Sequence, residues 1–249
     1  FHSCLDLEPQ DQLGGKNMWT SVNDYKQFAN TFYSWTRDFS SVVYDGTHSD
    51  KRSDLITYQS YNEFSRGINS IPSSDANYTD NYKHIRRTNL LLQNAEAYAK
   101  PEDIKQYIGE AYFFRAYSYF DLLQLYGDVI ITKKPLDITD PEMKVKRNDR
   151  SEVVDLIIDD LNHAVENLPA FKELTTEEEG RISKEGAQAF LSRVALYEGT
   201  WQKSRNGNQN TQRSANLLDI AAKAARTVID AKYGYTFRLF GTDSETKIL

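Results

Sequence analysis

The residues able to do chemistry in this chain are carboxylates in pairs, four scattered histidines and one cysteine. A glycosidase needs an acid and a base on opposite walls of a cleft. Glu110 with Asp121, or Asp159 with Asp160, supply the residue types. Nothing in their spacing sets them across a cleft. Glu110 and Asp121 lie in "YIGEAYFFRAYSYFDLLQLYG", which is apolar or aromatic on nearly every side. A charge buried there is costly unless paired, so Glu110 and Arg115 are predicted to find partners on adjacent helices and to orient the packing. The chain reads as a non-enzyme. His2, His48, His84 and His163 show no HxxH or HExxH spacing, and there is no glycine-rich phosphate cradle or GxSxG elbow. "DITDPE" and "SSDAN" carry oxygen ligands without the spacing of a twelve-residue calcium loop. No metal and no cofactor is expected. Cys4 cannot form an internal disulfide, because it is the single cysteine. Preceded by the small residue Ser3, it has the pattern of a bacterial lipidation site.

Helices must position these groups. Ser21 or Thr20 caps a first helix, with Asp24 answering in the first turn, and Val22, Tyr25, Phe28, Ala29 and Phe32 recur at helical spacing to about Arg37. Phe39 to Ala76 is an irregular stretch, too long for an ordinary connection. Helical spacing restarts near Tyr78 and runs to about Ala99. Pro101 suits the first turn of the next helix, and Gly127 suits its end. "DVIITKKPLDI" reads as extended. Helices are then predicted from Ser151 to Leu168, Ser183 to Glu198 and Ala215 to Lys232. The fold class is therefore all-α, with six helices in tetratricopeptide-like stacked pairs and a degenerate repeat. Stacked pairs build curved binding surfaces. A net charge of −6, with lysines and arginines interspersed among acids, argues against a nucleic-acid partner. No run of 18 apolar residues exists, so any membrane link is expected to be covalent.

Four stretches give these elements a family likeness: "CLDLEP" from Cys4, "YKHIRRTNLLL" from Tyr82, "IGEAYFFRAYSYFDLLQLYGDV" from Ile108, and "VVDLIIDDLNHAVENLP" followed by "GRISKEGAQAFLSRVALYEG". In order and spacing they resemble the SusD/RagB family of nutrient-binding outer-membrane lipoproteins of Bacteroidetes. The resemblance implies lipidation at Cys4, a tether over residues 1–19, and a helical domain from 20 to 249 that is the N-terminal part of a longer family domain. It also implies a surface protein that captures glycans and delivers them to a SusC-type TonB-dependent transporter. The rival reading is a tetratricopeptide-like adaptor that binds a protein partner without sugar.

If the ligand is a sugar, flat aromatic faces must meet the pyranose C–H surface while polar groups take its hydroxyls. The irregular stretch before the "YKHI" helix supplies Tyr58, Tyr61, Phe64, Arg66 and Tyr78, the candidate ligand-binding residues; the alternative for each is packing of the loop onto the helices. Trp19 and Trp35, beside helix ends, are read as packing residues. Trp201 is placed in a solvated loop, between Gly199 and "QKSRNGNQNTQRS", where it would meet ligand or partner.

Overall fold

The computed structural model describes residues 18–37, 66–68, 70–136, 139–205 and 211–237. Among these residues the architecture is all-α: α1 (Val22–Asn30), α2 (Ala76–Glu96), α3 (Lys105–Tyr126), α4 (Arg150–Asn167), α5 (Lys184–Arg205) and α6 (Thr211–Ile229). From α2 onward each helix packs against the next in sequence, and α1 rests on α3 and α2. This is the tetratricopeptide-like stack that the periodicity predicts. The stretch after α3 meets the residues before α4 through an antiparallel bridge, Val129 to Asn148, and a 3₁₀ turn, Pro141–Lys144, lies between them.

Capping fixes where the helices start. The Ser21 hydroxyl accepts from the Asp24 amide, and the Asp24 carboxylate accepts from the Ser21 amide at 2.8 Å, which satisfies amides that have no partner inside the helix. Asp75 caps α2 by accepting from the Asn77 amide at 2.9 Å. At the start of α4 the Glu152 carboxylate accepts from the Asp149 amide at 3.1 Å, and the Glu152 amide donates to the Asp149 carbonyl at 2.9 Å. The first helix stops earlier than its spacing suggests. At Thr31–Trp35 the chain tightens into a 3₁₀ turn. There the Thr31 and Ser34 hydroxyls bond the carbonyls three residues back, offering the backbone an alternative to the α ladder.

Helix α3 is the hub. Thirteen of its 22 residues are buried, so it has no solvent stripe and only neighbours can stabilise it. Gly127 ends it at φ 72°, a conformation that costs a side chain strain. Gly199 has a different task. The sequence reading ends α5 at Glu198, yet the helix continues to Arg205. A Cβ at Gly199 would lie 3.0 Å from the Leu218 side chain, so this glycine is a point of close approach between α5 and α6 and not a terminator. Trp201 therefore sits on a helix, under the Arg150 guanidinium at 4.1 Å, and not in a solvated loop.

Three ion pairs lock the stack. Arg115 bonds both Asp160 oxygens, at 2.8 and 2.6 Å, and Asn89 at 2.8 Å, joining α3 to α4 and α2. Arg181, in the loop before α5, bonds both Glu110 oxygens at 2.8 Å and reaches Asn30. Arg150 bonds Glu198 across α4 and α5. The predicted pairing of Glu110 and Arg115 is thus observed, although the partner of Glu110 comes from a loop.

Candidate functional site

The N-terminal half of α2 presents two faces, each bordering a groove. Residues 78, 82 and 86 share one face because three to four residues make a turn; residues 77, 81 and 84 share the other.

The larger groove, about 460 Å³, lies between α2 and the extended segment, with Tyr78, Tyr82, Ile130 and Leu136 supplying its apolar surfaces. The rings of Tyr78 and Tyr82 are 4.8 Å apart, and Tyr78 meets Tyr126 edge-on at 5.2 Å. Tyr126 in turn donates its hydroxyl to Asp75 at 2.7 Å, so the helix cap also holds the aromatic group in place. Tyr82 pins the opposite wall: its hydroxyl accepts from the Ile130 amide at 2.9 Å and donates to the Ile130 carbonyl at 2.8 Å. Burial, and then the adjoining Tyr78 hydroxyl, push the Tyr82 phenol far above its ordinary range. Charged groups form the rim. Arg86 donates Nε to the Leu136 carbonyl at 3.3 Å, and Lys134 pairs with Glu142 at 2.8 Å. Such a groove offers stacking faces for a ring and hydrogen-bond donors for its substituents.

The smaller groove, about 220 Å³, lies on the other side of α2. Trp35 stacks on His84 there, centroids 4.1 Å apart and planes 14° from parallel, and also packs on Phe32. Burial pulls the His84 pKa down to about 4, which keeps the imidazole neutral at pH 7. Asn81 donates to the Asp121 carboxylate at 2.8 Å, and Arg37 pairs with the same carboxylate. Aromatic neighbours occupy Trp35, so it packs as the sequence predicts, and Trp19 does likewise against Tyr25 and Phe28.

Of the candidate ligand residues, Tyr78 lines the larger groove and Arg66 is exposed. Tyr58, Tyr61 and Phe64, together with Cys4, lie outside the described residues. Three of the four carboxylates considered for hydrolysis are held by structural partners, while Asp159 is exposed on α4, 3.8 Å from His163. Asp160 is held by Arg115, Glu110 by Arg181, and Asp121 by Arg37 and Asn81. Burial raises the carboxyl pKa of Glu110 and of Asp160, an effect opposed by their arginines. Tyr82, Arg86, Thr132 and Lys134 were not singled out by the sequence. The four-residue step from Tyr78 to Tyr82 and Arg86 was the available signal, whereas Thr132 and Lys134 reach the groove through an irregular segment that has no period to read. Among the described residues no group of three or more potential ligands is placed to hold a metal, and no helix is long and apolar enough to cross a membrane.

The structure is a stack of helices joined by buried ion pairs, with an aromatic groove beside α2. Residues 5–196 match the SusD-like family described as starch-binding and associating with the outer membrane, and the chain belongs to that family. A SusD-like protein of Formosa agariphila, P38, is 27% identical over 213 residues, which cover 78% of this chain and 39% of the relative. A crystal structure of a SusD-like protein from Bacteroides fragilis superposes with a TM-score of 0.69 at 25% identity, covering 92% of this chain and 42% of that one. A laminarin-binding SusD-like protein superposes with a TM-score of 0.55 at 27% identity, covering 70% of this chain and 35% of its own. The chain thus spans less than half the length of these relatives.

Proposed function

We propose that this chain is part of a glycan-binding protein of the cell surface, anchored to the outer membrane through a lipid on Cys4, that captures oligosaccharide and passes it to a SusC-type TonB-dependent transporter. Its role is binding without catalysis. The observation that carries the reading is the tyrosine groove beside α2, where Tyr78 and Tyr82 present rings at 4.8 Å from each other under a polar rim. A related protein of the same fold is named for laminarin binding, which supports sugar as the ligand class. Burial of Glu110 and Asp160, each paired with an arginine, supports the absence of hydrolysis, since a general acid or base must be able to reach substrate. Tyr58, Tyr61, Phe64 and Arg66, from the stretch that precedes α2, are proposed to extend the platform begun by Tyr78.

Affinity electrophoresis in gels containing single polysaccharides tests this directly. The reading expects retardation by at least one glycan and its loss in Tyr78→Ala and in a Tyr58, Tyr61, Phe64 triple alanine variant. A folded protein retarded by none of a broad panel would instead favour the adaptor reading, with a protein as partner.

A further inference from the structure

The larger groove differs in polarity between its inner wall and its rim. On the wall, the Ile130 amide and carbonyl are both bonded to the Tyr82 hydroxyl, at 2.9 and 2.8 Å. The Thr132 amide donates to the Tyr119 hydroxyl at 2.7 Å, and the Thr132 carbonyl accepts from Asn89 at 3.0 Å. The carbonyls of Lys134 and Leu136 accept from Asn89 and Arg86, both at 3.3 Å. Helix side chains thus take backbone groups that a sheet would otherwise pair. The Tyr82 hydroxyl, donating and accepting at once, is engaged by the wall, so this residue shows a ligand its ring. The wall itself shows the side chains of Ile130 and Leu136. Polar side chains open to a ligand stand at the exposed rim, on Thr79, Lys83, Lys134 and Glu142.

A pyranose stacked by its flat face on Tyr78 sends its equatorial substituents sideways. Those on the open side reach the rim, and those on the closed side meet Ile130 and Leu136. A hydroxyl there gives up water to face carbon, which is costly, whereas a methyl group is favoured by the same burial. From this division we infer that the groove takes a glycan residue with an apolar substituent, the methyl of a 6-deoxy sugar or of an acetyl group, set against Ile130 and Leu136. The inference rests on the glycan-binding reading and narrows its ligand class. At about 460 Å³ the groove is of the size that encloses a small ligand, so ring and substituent are taken in together. The wall is fixed before ligand arrives, since Tyr82 and Asn89 of α2 and Tyr119 of α3 anchor it, and its apolar surface is not free to turn away.

Saccharide pairs that differ in one kind of group test the inference by titration calorimetry. Chitotetraose is compared with cellotetraose, which has hydroxyls in place of acetamido groups; acetylated xylotetraose with its alkali-deacetylated form; and methyl α-L-fucoside with methyl α-L-galactoside. In at least one pair the substituted member is expected to bind more tightly, by about fourfold for each methyl group moved onto the wall. The first two pairs report an acetyl group and the third a deoxy methyl. Leu136→Ala should remove the preference and Leu136→Met, which keeps the apolar volume, should retain it, with circular dichroism checking that both are folded. Equal binding within every pair, or tighter binding of the hydroxylated member, overturns the assignment and leaves glycan binding standing. So does a preference that Leu136→Ala keeps in full, because the substituent would then be read elsewhere. A protein that binds none of these compounds while polysaccharides retard it overturns the assignment as well, and one that binds no glycan at all removes both readings.

Discussion

Replacing Asp160 by asparagine isolates the buried clamp between α3 and α4. In the native protein Arg115 donates Nε and Nη2 to the two Asp160 oxygens at 2.8 and 2.6 Å and Nη1 to Asn89 at 2.8 Å. The two side chains are 6% and 1% exposed. Asparagine keeps the shape and one acceptor but leaves the guanidinium charge without its counter-charge. Removing one partner of a buried pair costs about 3–5 kcal/mol. For a chain of this size each kcal/mol lowers Tm by about 2–4 °C, so a drop of about 6–20 °C is expected. Thermal and urea unfolding followed by circular dichroism read it. An Arg115→Met, Asp160→Leu double variant is the control, because two apolar side chains carry no charge to desolvate; part of the loss should be recovered, the rest being about 1–3 kcal/mol for the buried Asn89 oxygen that loses its Arg115 donor. A single variant within about 2 °C of the native protein, or a double variant as unstable as the single, refutes the claim that Asp160 is there to neutralise Arg115.

Three further outcomes are expected. Tyr82→Phe removes the hydroxyl that serves both the Ile130 amide and carbonyl, leaving two partly buried backbone groups without it; stability should fall by about 1–3 kcal/mol in urea titration, and groove-dependent binding should weaken with it. His84, held near pKa 4 when folded against about 6.5 when unfolded, makes the unfolded state bind more protons between those values. Stability should therefore fall as pH drops from about 6.5 to 4, by roughly 1–2 kcal/mol once screening of this half-buried ring is allowed for, and a His84→Gln variant should lose that part of the slope. Glu110→Gln should destabilise the fold by weakening two charged bonds from Arg181, and sensitive reducing-sugar assays should find no hydrolysis for the substitution to abolish. A hydrolysis rate that vanishes in this variant would reverse the non-catalytic reading.

Period and caps made the helices legible. Ser21 with Asp24 starts α1 and Gly127 ends α3 where the sequence places them, because these signals act within a few residues, whereas Pro101 opens a 3₁₀ turn, Pro101–Ile104, and α3 begins after it at Lys105. The sequence places the end of α5 at Glu198, yet the helix runs on to Arg205, with Gly199 inside it allowing close approach to Leu218, a contact that spacing does not reveal. The breaks at Thr31–Trp35 likewise depend on hydroxyls choosing carbonyls of their own helix. Glu110 and Arg115 were legible as paired, since a charge in an apolar stretch must be compensated, but Arg181 and Asp160 were not identifiable as their partners. Those contacts join residues 71 and 45 positions apart. The groove shows the same division. Tyr78 and Tyr82 fall on one face by period, whereas Thr132 and Lys134 face them because side chains distant in sequence tie down their segment: the Tyr82 hydroxyl holds Ile130, the Tyr119 hydroxyl holds the Thr132 amide, and the Asn89 amide donates to the Thr132 and Lys134 carbonyls.

The most direct test of the account is affinity electrophoresis of Tyr78→Ala beside the native protein in gels carrying neutral and anionic polysaccharides, with circular dichroism confirming that both are folded. The account predicts that at least one polysaccharide retards the native protein and that the variant migrates as it does without polysaccharide. Retardation that Tyr78→Ala retains in full would move sugar recognition away from the groove, and a folded native protein retarded by no polysaccharide would contradict glycan binding itself.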